Sequence, residues 1–290
     1  MLNMHLNWTG ERLETFVYTE NTIEHLHRYA LAIKLCQNKT VLDIASGEGY
    51  GSNILSEYAE HVIGVDIDQN AIELANKKYG KNNLVFKFGK AHQIPVLTNS
   101  IDVVVSFETL EHHDMHDEMM NEIKRVLKKD GVLIISTPEK KYYSDESSYK
   151  NPFHVKELYL SQFRSLIDSH FSISFYSFQK MISGSLILPE LKFDSFSLFE
   201  GDYQEIHEEN NFKPIYLIAI ASDAPLNDLG ITFFTSSTVD QKESEKKNKE
   251  IELIKTQIRE EALSSIKKTW SYRIGNFILR PLKNLWALIH

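Results

Sequence analysis

Val41-Leu42-Asp43-Ile44-Ala45-Ser46-Gly47-Glu48-Gly49-Tyr50-Gly51 decides how the rest of the chain reads. Residues 40–44 are a short apolar run of the kind that forms a buried parallel strand. Glycine then recurs at every second position, and Ser52-Asn53-Ile54-Leu55 opens a helical pattern. Glycines at such a turn let the backbone reverse sharply and let a ligand approach the main chain and the helix N-terminus. A second apolar run, His61-Val62-Ile63-Gly64-Val65-Asp66, follows and ends in an acid. A carboxylate at the tip of a neighbouring strand is where a ribose hydroxyl pair is held, so the two runs together imply a nucleoside site.

Outward from this pair, strands and helices alternate. Residues 21–35 place Ile23, Leu26, Ala30 and Ile33 on one helical face. Residues 69–79 read as an amphipathic helix, 84–88 as a third strand and 101–106 as a fourth, buried by its β-branched content. A helix over about 115–127, a turn at 128–131 and a fifth strand at 132–136 follow, then a helix at 161–167. Residues 171–179 and 215–221 supply the last two strands. Such alternation predicts an α/β fold with a doubly wound, mostly parallel sheet. Residues 182–212 mix Gly184, Pro189 and several aromatics and read as an insertion, either a pocket wall or a surface excursion.

The spacing Asp43-x-Ala45-x-Gly47-x-Gly49 lacks the pyrophosphate fingerprint of a redox dinucleotide fold. It resembles motif I of the class I S-adenosylmethionine (SAM)-dependent methyltransferases, with Asp66 as the motif II acid. The resemblance extends over roughly residues 9–221. It implies a Rossmann-like sheet of seven strands with an antiparallel last strand, and SAM as cofactor. It also implies cofactor contacts from Asp43, Ala45, Ser46, Gly47, Gly49, Asp66, Ile67, Ala91, His92 and Phe107. In related methyltransferases the leading helix lies over the cofactor, so Arg28 or Tyr29 is expected to meet the methionine carboxylate. Two positions depart from the pattern. Ala45 replaces the first motif I glycine, and Lys90 stands where the family's adenine-binding acid is usual.

Methyl transfer from a sulfonium is an in-line displacement, and a sugar hydroxyl accepting it needs either a base or a metal. The candidate site follows the fourth strand, at Phe107-Glu108-Thr109-Leu110-Glu111-His112-His113, with Asn151-Pro152-Phe153-His154-Val155-Lys156-Glu157 after the fifth. Glu108, Glu111, His112 and a downstream histidine, His154, resemble the metal-binding set of small-RNA 3′-terminal 2′-O-methyltransferases. That set would suit Mg²⁺ or Mn²⁺ gripping a vicinal diol. A metal-free reading, with His112 or His154 as general base, stays open beside it. His113 and His116, at a helix start, read as solvated.

Charge and composition set the surroundings. The chain of 290 residues has a formal net charge of −8. From Ala262 onward it carries Lys267, Lys268, Arg273, Arg280 and Lys283 and no acid, so the preceding body is more negative than the whole. An acidic body repels phosphate backbones, which argues against a nucleic-acid partner. The single cysteine, Cys36, excludes a disulfide framework and fits a reducing compartment. Residues 240–259 are Lys/Glu-rich with Ile251, Ile254 and Ile258 at helical spacing. Over residues 267–290, Trp270, Ile274, Ile278, Leu282, Leu285, Trp286 and Ile289 share one side of a helical wheel. Arg273, Asn276, Arg280 and Lys283 share the other, and Pro281 would kink the helix. A basic amphipathic helix with tryptophans fits a bilayer interface rather than a span. The expected organisation is therefore a methyltransferase domain at 1–223, a linker and charged helix at 224–265, and a membrane-associating helix at 266–290.

Thr9-Gly10-Glu11-Arg12, Glu24-His25-Leu26-His27-Arg28-Tyr29, the Asn151–Glu157 cluster and the basic tail together resemble methyltransferases of bacterial surface-polysaccharide (O-antigen and lipopolysaccharide) synthesis. That resemblance implies methylation of a sugar hydroxyl on a glycan or lipid-linked precursor at the cytoplasmic face of the membrane, beside glycan-assembly proteins. Small-RNA ribose methylation, methylation of a quinone or other lipid-soluble small molecule, and a catalytically silent SAM-binding anchor are the alternatives.

Overall fold

The structure, a computed structural model, describes residues 19–182, 184–196, 198–201, 206–208, 212–270, 273–275, 277 and 279. The expected Thr9–Arg12 motif and most of the basic tail lie outside them. In chain order the helices are α1 (Glu20–Cys36), α2 (Tyr50–Ser56), α3 (Gln69–Tyr79), α4 (His116–Val126), α5 (Leu160–Asp168) and α6 (Ser237–Lys268). The strands are β1 (Thr40–Ile44), β2 (His61–Asp66), β3 (Leu84–Phe88), β4 (Ile101–Phe107), β5 (Leu127–Pro138) and β6 (Ile173–Met181). They continue with β7 (Gly184–Pro189), β8 (Phe199–Gly201), β9 (Ile206–Glu208), β10 (Tyr216–Ser222) and β11 (Thr232–Thr235).

The main sheet has the order β11-β7-β6-β10-β5-β4-β1-β2-β3. β3, β2, β1, β4 and β5 run parallel, as helical crossovers require, and β10 enters antiparallel between β5 and β6. The expected seven strands are therefore present, and the strand order reverses between β1 and β4. Two more strands extend the sheet beyond the sequence expectation. β7 comes from the segment read as an insertion; it pairs antiparallel with β6 and is buried along its length. β11 lies in the stretch read as linker and pairs with β7. β11 joins the sheet, and the first compact unit runs to Val239.

Alternation along the strands divides the core. Leu42, Ile44 and Val104 pack with Met119, Ile123 and Phe163 from α4 and α5. Val41, Val103 and Val105 pack on the other side with Leu31, Leu55 and Ile72 from α1, α2 and α3. Each such fully buried aliphatic side chain contributes about 1.5–3 kcal/mol. The turn expected at 128–131 is a bulge inside β5. The register jumps from Ile101 opposite Leu127 to Val103 opposite Val132, and Lys128 Nζ meets Asp102 at 2.8 Å across the irregularity.

The second unit begins at Asp240, inside α6. The charged helix expected at 240–259 is longer, spanning Ser237–Lys268. Ion pairs one turn apart, Lys247 with Glu243 at 2.6 Å among them, support it modestly. Ile251, Ile254, Ile258 and Ile266 are all exposed on it. No helix among the described residues is long and apolar enough to cross a membrane.

Candidate active site

The glycine-rich turn after β1 holds three residues in the left-handed region: Ala45 at φ 58°, Gly47 at 52° and Gly49 at 87°. Gly49 is also the N-cap of α2, and a Cβ there would sit 2.7 Å from the Phe86 ring. Glycine is thus required at 49 both by conformation and by space, whereas Ala45 bears a strained φ. Beneath the turn, buried Asp43 accepts hydrogen bonds from Ser52 Oγ at 2.6 Å and Tyr29 OH at 3.3 Å. Burial pushes its carboxyl up to about 7, against the opposing hydrogen bonds from Ser52 and Tyr29. Asp43 and Tyr29, both expected to touch the cofactor, therefore brace the loop from below. Tyr29 packs so closely over α2 that a Cβ at Gly51 would fall 1.9 Å from its ring.

Asp66, at the tip of β2, accepts from Gly47 N at 2.8 Å and from Asp68 N at 2.9 Å. It ties two strand-end turns together, and a carboxylate has acceptor capacity beyond two bonds. Ile67 beside it is 62% exposed, an apolar surface at a position expected to contact the cofactor. Ala91 and His92 are half-buried, while Lys90 and Phe88 are exposed. Phe107 is buried against Tyr29 with ring centroids 5.2 Å apart. Ser46 Oγ is buried and finds no hydrogen-bond partner among the described residues.

Arg28 is the largest fully buried side chain described. Its Nη1 donates to Glu108 Oε1 at 3.1 Å and to Gln179 Oε1 at 3.2 Å, and its guanidinium lies 4.6 Å over the Tyr216 ring. Burial alone would lower its affinity for a proton; Glu108, Tyr216, Glu24 and Tyr50 outweigh that and raise it. Its Nε and Nη2 are buried with no partner among the described residues. Leaving charged donors unpaired inside a protein costs several kcal/mol, so this pair has the capacity to take up an anion. Nearby Glu24 is pushed up to about 7 by burial, opposed by Arg28.

The expected four-residue metal set separates into two parts. Glu108, at φ 53°, turns toward α1, where it meets Arg28 and accepts from Ser136 Oγ at 2.6 Å. The ion pair and the reversed backbone take it out of the cluster. Among the described residues, Glu111, His112 and His154 bring ligand atoms within 4.8 Å of one another. Glu111 is buried and accepts from Thr137 Oγ1 at 3.1 Å. Burial and the neighbouring Glu108 charge hold its carboxyl well above the usual range. His112 Nδ1 lies 3.1 Å from the Phe153 carbonyl, which can only accept, so Nδ1 carries the proton and Nε2 the lone pair. His154 Nδ1 lies 2.5 Å from Glu157 Oε1, and the Asn151 amide donates to its Nε2 at 3.0 Å. One carboxylate and two imidazoles fit a divalent ion, whose charge would also favour ionised Glu111.

His116, expected to be solvated, is buried; its Nε2 lies 2.8 Å from the carbonyls of Leu110 and His113. His113 accepts from Met115 N at 3.2 Å, so both histidines secure the entry to α4. Sequence reasoning passed over Glu157 as an orienting group, although its three-residue spacing from His154 was visible. It also missed Gln179, for which no local signal exists, since Arg28 lies 151 residues away.

Residues 42–135 match the family model described as a methyltransferase domain. A protein of Mycolicibacterium smegmatis named "probable S-adenosylmethionine-dependent methyltransferase" is 30% identical over 164 residues. The match covers 56% of this chain and 63% of that protein, so the chain spans less than two thirds of that relative. A Mycobacterium tuberculosis protein of the same description is 28% identical over 246 residues, covering 74% of this chain and 89% of the relative. The crystal structure of a SAM-dependent methyltransferase from Archaeoglobus fulgidus superposes with a TM-score of 0.52 at 20% identity, covering 70% of this chain and 93% of that one. At that identity the likeness speaks to the fold.

Proposed function

We infer that this chain, built on a SAM-dependent methyltransferase domain, is an O-methyltransferase acting on a sugar hydroxyl of a cell-surface glycan or its lipid-linked precursor. The observation that carries this reading is the cluster of Glu111, His112 and His154 beyond the carboxyl ends of β4 and β5. It lies where open α/β sheets bind their ligands. Bound SAM supplies an electrophilic methyl group on its sulfonium. The chain must orient that group, place the acceptor in line and take the hydroxyl proton.

Arg28 Nε and Nη2 would hold the methionine carboxylate, Asp66 the ribose hydroxyls and Ile67 the face of the adenine. Glu108 keeps the guanidinium charged and aimed. His154 is suited to take the proton at Nε2 once the Asn151 amide that now donates there is displaced, because Glu157 fixes the Nδ1 proton and stabilises the imidazolium that forms. Glu111, His112 and His154 would hold a divalent ion, which would lower the hydroxyl pKa. The acidic body speaks against RNA. The cationic, tryptophan-bearing tail supports work at the inner face of a membrane.

Turnover on a membrane glycan fraction tests the assignment. Glu157→Gln and His154→Asn are expected to lower turnover by about 10²–10⁴, the range of general acid–base assistance, with SAM affinity unchanged by calorimetry. EDTA treatment separates the two routes. Abolition with recovery on Mn²⁺ assigns the metal, and full activity assigns His154 as the base. Unchanged turnover in both variants would remove the cluster from the mechanism.

A further inference from the structure

The segment after β5 carries features that neither cofactor binding nor proton transfer uses. Residues 142–156 present Tyr149 at 53%, Phe153 at 44% and Val155 at 64% exposure. Isolated exposed apolar residues are ordinary, but these are joined to the cluster by contact. Tyr149 meets Tyr143 edge-on at 5.9 Å, Tyr143 stacks on His154 at 5.3 Å, and His154 meets His112 at 5.2 Å. Phe153 accepts at its carbonyl from His112 Nδ1 and donates its N–H to Asn151 Oδ1 at 3.0 Å. Val155 N and Lys156 N both donate to the Glu111 carbonyl, at 2.7 and 3.0 Å. The whole knuckle is thereby fastened to the chemistry.

Its charge is as telling as its rings. The acids of the segment are engaged locally: Asp145 accepts from Tyr159, Glu146 from Lys213, and Glu157 faces His154. Lys150 and Lys156 are exposed, each within three residues of an exposed aromatic ring. The local surface thus sets two exposed lysines beside exposed rings, on a segment where Lys150 and Lys156 balance Asp145 and Glu146. An aromatic face accommodates the apolar C–H face of a pyranose, and lysine is a point-charge binder of phosphate.

Resting on the sugar-methyltransferase reading, we propose that residues 142–156 form the acceptor platform and that the acceptor is a phosphorylated saccharide. Tyr149 and Phe153 stack its pyranose ring, and Lys150 and Lys156 take its phosphate. Phosphate attached near the methylated sugar would then contribute recognition and position the hydroxyl toward His112 and His154.

Binding of glucose, galactose and mannose 1-phosphates to the full chain saturated with S-adenosylhomocysteine tests this, with the free hexoses and inorganic phosphate as controls. At least one hexose 1-phosphate is expected to bind at least tenfold tighter than its free hexose and than inorganic phosphate. Phe153→Ala should weaken that binding about tenfold, and Lys150→Gln with Lys156→Gln should erase the preference over the free sugar. Unaltered SAM affinity in these variants checks that they fold. If no hexose 1-phosphate binds while SAM does, the platform is wrong and the methyltransferase reading stands. If inorganic phosphate binds equally well, the lysines form a bare anion site and the proposal falls. Failure to bind SAM at all would instead strike the underlying functional reading.

Discussion

Asp43 shows how one residue carries both the fold and the site. It ends no strand and faces no solvent, yet it fixes α2 through Ser52 and α1 through Tyr29, and so sets the shape of the turn above it. That position costs stability. Its carboxyl is raised from 3.8 to about 7, so the folded chain binds a proton that the unfolded chain has lost. The penalty is absent below pH 4, grows as pH rises and levels off above 7, with a ceiling on the order of 4 kcal/mol. Urea unfolding between pH 5 and 8 should show the native chain losing stability relative to Asp43→Asn as pH rises, a difference in which the opposing titration of buried His27 and His113 cancels. Parallel slopes would place that titration elsewhere. The acid itself was plain in the sequence, and its neighbours in motif I gave it a role. That it also braces the turn depends on Tyr29, which a linear pattern places only on a helix.

At the scale of elements, α1 has two tasks. His27 pins it to the added strands, with Ser185 and Thr232 each 2.9 Å from its ring nitrogens, and burial holds that ring neutral with its pKa lowered to about 4. One residue further, Arg28 turns inward and leaves two donors unpartnered among the described residues. Arg28→Ala should weaken SAM binding by about 1.5–3 kcal/mol, the scale of hydrogen bonds to a charged group. Calorimetry on a folded variant with native affinity would contradict the carboxylate assignment. The elements read from periodicity, β1 to β5 and α3 to α5, are those whose apolar residues recur with a helical or strand period. β7 and β11 escaped because they are short and complete each other. Gly184 opens β7 with its φ at 156°, and Thr232–Thr235 alternates half-buried and exposed, so neither stands out alone. Glu108 has no local signal for its ion pair with Arg28, which lies 80 residues away in the chain, while its charge still reaches Glu111.

For the molecule as a whole, charge is divided along the chain. The acidic body and the cationic last residues suit a catalyst held at an anionic surface, each basic residue near such a surface contributing about 1 kcal/mol. Truncation after Ser264 is expected to leave a folded, SAM-binding protein that no longer sediments with anionic liposomes. Equal sedimentation of the two forms would dismiss the tail as an anchor.

A sugar hydroxyl as the methyl acceptor is tested most directly by where the methyl group goes. The full chain, incubated with methyl-tritiated SAM and a lipid-linked glycan fraction, should place the label in a methyl ether of a sugar. That ether should survive mild alkali and be recovered as a methoxy-hexose after acid hydrolysis, and His154→Asn should place little there. No labelled sugar, label lost to mild alkali as an ester would be, or label recovered in RNA would contradict it.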